Sequence, residues 1–183
     1  AREIGLTQIV NSSGGHFLGP LELLAGDPER AYEVAVRSYE TMAATGDRAY
    51  SSTSAGNVAM TLVELGRWDE AERYARISTD TAAASDQYSQ ALGRQSMALV
   101  LAHRGELGAA ERLVREAVAM RESGEFLDAQ GEALVVLGEV LSVAGRHDEA
   151  RDAFTAALDR YRRKGNLVAT ARTEQRIADL RPS

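Results

Sequence analysis

The side chains that could do chemistry are few, and their spacing does not gather them. His16, His103 and His147 lie far apart and form no metal-spaced pair. There is no cysteine. That excludes disulfides and thiolate metal sites and fits a reducing cytoplasm. Gly14-Gly15 lacks a following Gly-Lys-Ser/Thr, so it is not a phosphate-binding loop. The carboxylate pairs Asp69-Glu70 and Asp148-Glu149 fall in helix first turns, where they complement the dipole. Serines and aspartates sit at caps and turns, where local backbone bonding explains them. No nucleophile, base and acid share a register. The expectation is a non-enzyme with no catalytic, cofactor or metal residues.

What positions these residues is a turn that recurs four times. It reads Gly26-Asp27-Pro28-Glu29-Arg30-Ala31, Gly66-Arg67-Trp68-Asp69-Glu70-Ala71, Gly105-Glu106-Leu107-Gly108-Ala109-Ala110 and Gly145-Arg146-His147-Asp148-Glu149-Ala150. The glycines are 40, 39 and 40 residues apart, a period that marks a stacked repeat protein. Each glycine stops one helix, acids open the next, and a small alanine lets the two approach. A second series alternates with the first: Thr45-Gly46-Asp47, Ser85-Asp86, Ser123-Gly124-Glu125 and Lys164-Gly165-Asn166. Each pairs a helix stop with a capping residue for the next helix.

The punctuation predicts helices over 28–44, 47–65, 67–84, 87–104, 107–123, 126–144, 147–164 and 166–180. Loops of two to three residues force antiparallel neighbours. Pro28 suits a helix start after the N-cap Asp27. Gly14, Gly15, Gly19 and Pro20 predict a break near 14–20. Ala1–Ile4 reads as the tail of an earlier helix, so a piece of a longer chain is expected. The repeat units fall at about 5–45, 46–85, 86–124 and 125–164, with a terminal helix at 166–180, in one solenoid spanning 1–183.

Core faces follow from helical spacing. The fourth unit offers Leu137, Gly138, Leu141, Ala150, Phe154, Ala157, Leu158 and Tyr161. The third offers Ala98, Leu101, Ala110, Val114, Ala117 and Val118. The second offers Ala59, Leu62, Ala71, Ala75 and Ser78, and the first Leu18, Gly19, Ala31, Ala35 and Ser38. Trp68 reads as a helix-start staple. His147 reads as a semi-buried spacer in the turn. A net charge of −6 argues against non-specific nucleic-acid or anionic-membrane binding. Arg162-Arg163-Lys164 is too short a basic run to reverse that.

Leu137-Gly138, Leu141, Gly145, Ala150, Phe154 and Ala157 resemble the tetratricopeptide repeat (TPR) pattern, of a long-period type. The resemblance implies an all-α fold, an α-solenoid of antiparallel helix pairs in a right-handed superhelix. It implies a non-enzymatic protein–protein interaction module whose first helices line a concave groove. Mapped by the turn glycines, the groove residues are Thr53, Asn57, Met60 and Glu64, then Gln95, Leu99 and His103, then Glu132, Val135 and Glu139. No Lys or Arg is among them, which disfavours a groove that grips a peptide C-terminus. A peptide, an apolar or helical segment, or another domain of the same chain fits better.

Leu21–Asp27, Trp68–Ala75 and Arg163–Ala169 resemble the C-terminal repeats of bacterial adenylate/guanylate cyclase-like or AAA/STAND regulatory ATPases. That resemblance implies a cytoplasmic signalling protein. Two alternatives stay open. Leu167, Ala171, Ile177 and Leu180 on the terminal helix could drive self-association. The groove could instead sense a small effector.

Overall fold

The computed structural model describes residues 19–180. Among the described residues there are nine helices and no strand. They are α1 (Gly19–Ala25), α2 (Pro28–Thr45), α3 (Arg48–Glu64), α4 (Trp68–Thr81), α5 (Gln87–His103), α6 (Leu107–Glu122), α7 (Leu127–Val143), α8 (His147–Lys164) and α9 (Leu167–Asp179). The architecture is an all-α array of helix pairs, an α-solenoid. The expected break near 14–20 falls largely outside the described residues. What is described is α1 opening at Gly19, with Pro20 in its first turn, where the missing N–H costs nothing.

The turns form as their residues dictate. Gly26, Gly66, Gly105 and Gly145 all take a left-handed φ, between 68° and 89°. That backbone lets the chain leave one helix and enter the next within two or three residues. Gly46 and Gly165 do the same in the second series. Asp47 and Asn166 then cap α3 and α9, accepting from Tyr50 N at 3.2 Å and Ala169 N at 3.0 Å.

Two connections are longer than the expected two to three residues. Helix α4 stops at Thr81 rather than 84, leaving 82–86 as a linker. Ala82–Ala84 carry no stop signal of their own. Instead, the Gln90 amide on α5 donates to Thr79 O at 3.0 Å and Ala82 O at 3.2 Å, closing carbonyls the helix end leaves open. The second long connection, 123–126, has no left-handed glycine. Gly124 keeps an ordinary φ, the N-cap of α7 falls on Phe126, and Glu125 lies before it.

The chain divides into two compact units, one ending at Met97 and the other beginning at Ala98, within α5. In the first unit, Ala31, Ala35, Ala71 and Ala75 are fully buried on α2 and α4. Every residue of α3 from Ser51 to Ala59 is buried. Its hydroxyls bond either its own backbone, as Ser52 Oγ to Ala49 O, or a neighbouring helix. Thr53 Oγ1 lies 2.7 Å from Ser89 Oγ, and Ser38 Oγ lies 3.2 Å from Ser54 Oγ. Gly93 brings α5 hard against α4: a Cβ there would lie 2.9 Å from the Ala75 carbonyl.

The second unit has a different interior. Val114, Val140, Leu141 and Phe154 are buried, with Leu134, Leu137, Leu158 and Tyr161 close behind. Gly138 faces the Phe154 ring and Gly131 faces the Tyr161 ring. A Cβ at either would come within 2.5 Å of ring carbon. Each fully buried Val, Leu or Phe contributes about 1.5–3 kcal/mol.

Candidate binding surface

Helix α7 positions the surface. Its two ring-facing glycines press it onto α8, and that fixes which side turns outward. Ala129, Gly131, Ala133, Leu134, Leu137, Gly138, Val140 and Leu141 go inward. Glu132, Val135, Glu139 and Val143 follow one another at spacings of 3, 4 and 4, a single stripe on the other side. Glu132 and Val143 are exposed, and Val135 and Glu139 are half-buried. Val143, the last residue of the helix, is 62% exposed.

Two of the acids near this stripe are held by α9. Glu139 Oε1 accepts from Arg176 Nε at 2.8 Å. Asp128 Oδ1 accepts from Asn166 Nδ2 at 3.1 Å. Glu132 differs. Loss of solvation raises its pKa, against the pull of Arg121 and with a smaller push from the Asp128 charge. Burial, and then the Glu132 charge, raise the Tyr161 hydroxyl well above its usual range, so it stays protonated.

Arg121 was not foreseen from the sequence as part of this environment. It is only 5% exposed, at the end of α6. Its signal lay in the register. Arg121 follows its turn glycine by the same interval as Met42 and Tyr161 follow theirs, and both of those are buried. Its type suggests surface, but its column is core.

The other expected groove residues divide. In the first unit Thr53, Asn57 and Gln95 are buried, Met60 is half-buried and Glu64 is exposed. Three of these five are thus buried among neighbouring helices, Thr53 against Ser89 of α5. In the second unit Leu99 is half-buried and His103 exposed. Leu180, just past the end of α9, is buried, and Ile177 on that helix is half-buried. Of the residues expected to self-associate, Leu167 and Ala171 therefore remain exposed. His147 is half-buried at its turn, and His16 lies outside the described residues. No cluster of three or more His, Asp or Glu able to hold a metal occurs among the described residues. None of the described helices is long and apolar enough to cross a membrane.

Paired helices, a turn glycine in each period and small residues at the crossings define a helical repeat protein. Tetratricopeptide repeat models match residues 52–76 and 87–163, so the chain carries tetratricopeptide repeats. Such repeats generally mediate protein–protein interaction and are typically non-catalytic. The crystal structure of BtubC (BKLC) from P. vanneervenii is similar in fold, with a TM-score of 0.55 at 17% sequence identity. The match covers 92% of this chain and 65% of that one, so this chain spans about two thirds of its length. Among curated proteins, none matches the chain.

Proposed function

We propose that this chain is a non-enzymatic interaction module that receives a peptide, or another domain, on the outward stripe of α7. The supporting observation is the stripe itself. It sets an exposed Val143 and a half-buried Val135 beside the carboxylates of Glu132 and Glu139, on a helix whose opposite side is locked against α8. Apolar surface left open between placed charges is the composition of a recognition site. A module of this kind suits a bacterial cytoplasmic regulatory protein, a context supported by the sequence resemblance alone.

Cross-linking tests the reading. A photoactivatable side chain at Val143 should capture a discrete partner from extract of the source cells. The same group at Thr155, exposed on α8, should not. Adding Val135→Asp should abolish the Val143 adduct. Equal capture at both positions would remove α7 as the binding face.

A further inference from the structure

The start of α7, the opposite end from Val143, carries a second open surface. Helices α3, α5 and α9 begin on a polar cap. Asp47, Asp86 and Asn166 each accept a backbone N–H of the first turn, at 3.2, 3.1 and 3.0 Å. Helix α7 begins instead on Phe126, which caps nothing and is 74% exposed. That choice forgoes a bond worth about 1 kcal/mol and leaves an aromatic ring in water. Beside it, α9 opens on Leu167 and Val168, 80% and 49% exposed. The Asn166 amide donates to Asp128 at 3.1 Å, which holds the two helix starts together. Phenylalanine, leucine and valine thus form one apolar edge. Its open area is roughly 400 Å², a size at which patches on single chains are often contact sites.

The two halves of this edge carry opposite charges. Glu125 precedes Phe126, and Lys164 closes α8 three residues before Leu167; both are exposed. Arg162 and Arg163 are matched within the chain, by Glu174 at 2.7 Å and Asp159 at 3.3 Å. Neither Glu125 nor Lys164 has an ion pair among the described residues. An edge that is aromatic and acidic on one half, aliphatic and basic on the other, is complementary to itself under two-fold rotation. The area is sufficient as well. Interfaces between like chains are about 60% apolar, so roughly 400 Å² of apolar surface implies about 650 Å² on each copy and about 1,300 Å² in all, within the range of specific dimers. We propose that this edge is an interface with a second copy of the chain. Phe126 of one copy packs on Leu167 and Val168 of the other, and Glu125 pairs with the other's Lys164.

Sedimentation equilibrium of the full chain, between about 1 µM and 1 mM, tests this. The mass should double across that range. Phe126→Asn places a polar cap where the ring stood, so the fold should be kept, which circular dichroism checks. It should raise the dimer Kd at least about tenfold, and Leu167→Gln should act alike. Glu125→Lys or Lys164→Glu alone should each raise the Kd about fivefold by setting like charges face to face, and the two together should restore it. A chain that stays monomeric throughout overturns the proposal. A dimer unchanged by both Phe126→Asn and Leu167→Gln overturns this edge as its interface. A double exchange no tighter than the single ones overturns the pairing of Glu125 with Lys164.

Discussion

The two units solve the same packing problem with different materials. In the first, helices meet through small and hydroxylated side chains. Ser38, Ser52, Ser54, Ser78, Ser89 and Ser96 are nearly or wholly inaccessible, and the hydroxyl of Ser89 is a hub for Ser52 and Thr53. In the second, the interior is branched aliphatic and aromatic, and glycines on α7 receive the rings of α8. Hydrogen bonds between hydroxyls replace bonds to water at little net gain, whereas ring and methyl burial is a direct gain. The difference teaches that one repeat pattern, with its turns and alanine columns intact, can be filled by cores of unequal strength. The second unit should be the harder to unfold.

Phe154→Ala strikes the largest side chain among the most deeply buried. It should cost about 3–5 kcal/mol, read by urea denaturation, and should bring the two units closer in stability. A cost under about 1 kcal/mol would break the comparison.

The glycines give a finer test. Gly138→Ala and Gly93→Ala should each cost about 1–3 kcal/mol through overpacking. Their rescue should differ. At Gly138 the obstruction is the Phe154 ring, so adding Phe154→Leu should recover part of the loss. At Gly93 the Ala75 carbonyl stands in the way together with Thr79 Cγ2, so adding Thr79→Ser should recover little. Thermal melts of the paired variants decide this.

The smallest effect should come from Ser89→Ala, about 1 kcal/mol, because Ser52 and Thr53 keep a carbonyl of their own helix as partner. Amide hydrogen exchange should show that loss in α3 and α5, with α7 and α8 unchanged.

Much of this architecture was legible in advance. Ala31, Ala71, Ala110 and Ala150 stand five places after their glycines, and all are fully buried. The core column Gly19, Ala59, Ala98 and Gly138 is also buried, and Gly138 faces the Phe154 ring. These positions are set by helical period and turn chemistry, which are local. Openness was less legible. Thr53, Leu92 and Glu132 share a register, but only Glu132 is exposed, because neighbouring side chains decide how far the space between helices fills. Arg121 was hidden by its own type. The end of α4 was hidden because its stop is supplied by Gln90, from the following helix. The match of Glu139 with Arg176 needed the placement of α9.

The arginines after two of the turn glycines carry a consequence for how such an array can change. Arg67 lies with its guanidinium 4.5 Å from the centre of the Tyr32 ring. Arg146 donates to Glu111 at 2.6 Å and also binds Glu149. Each reaches 35 positions back, to the second helix of the preceding pair. A fastening of this kind is owned jointly by two periods of the gene. Duplicating or excising a whole period would therefore set Arg67 or Arg146 against a new predecessor. A predecessor with an aromatic or acidic residue at the receiving position would accept it. Any other would leave that joint unlatched, so the two arginines act as a splice code for which repeats can follow one another.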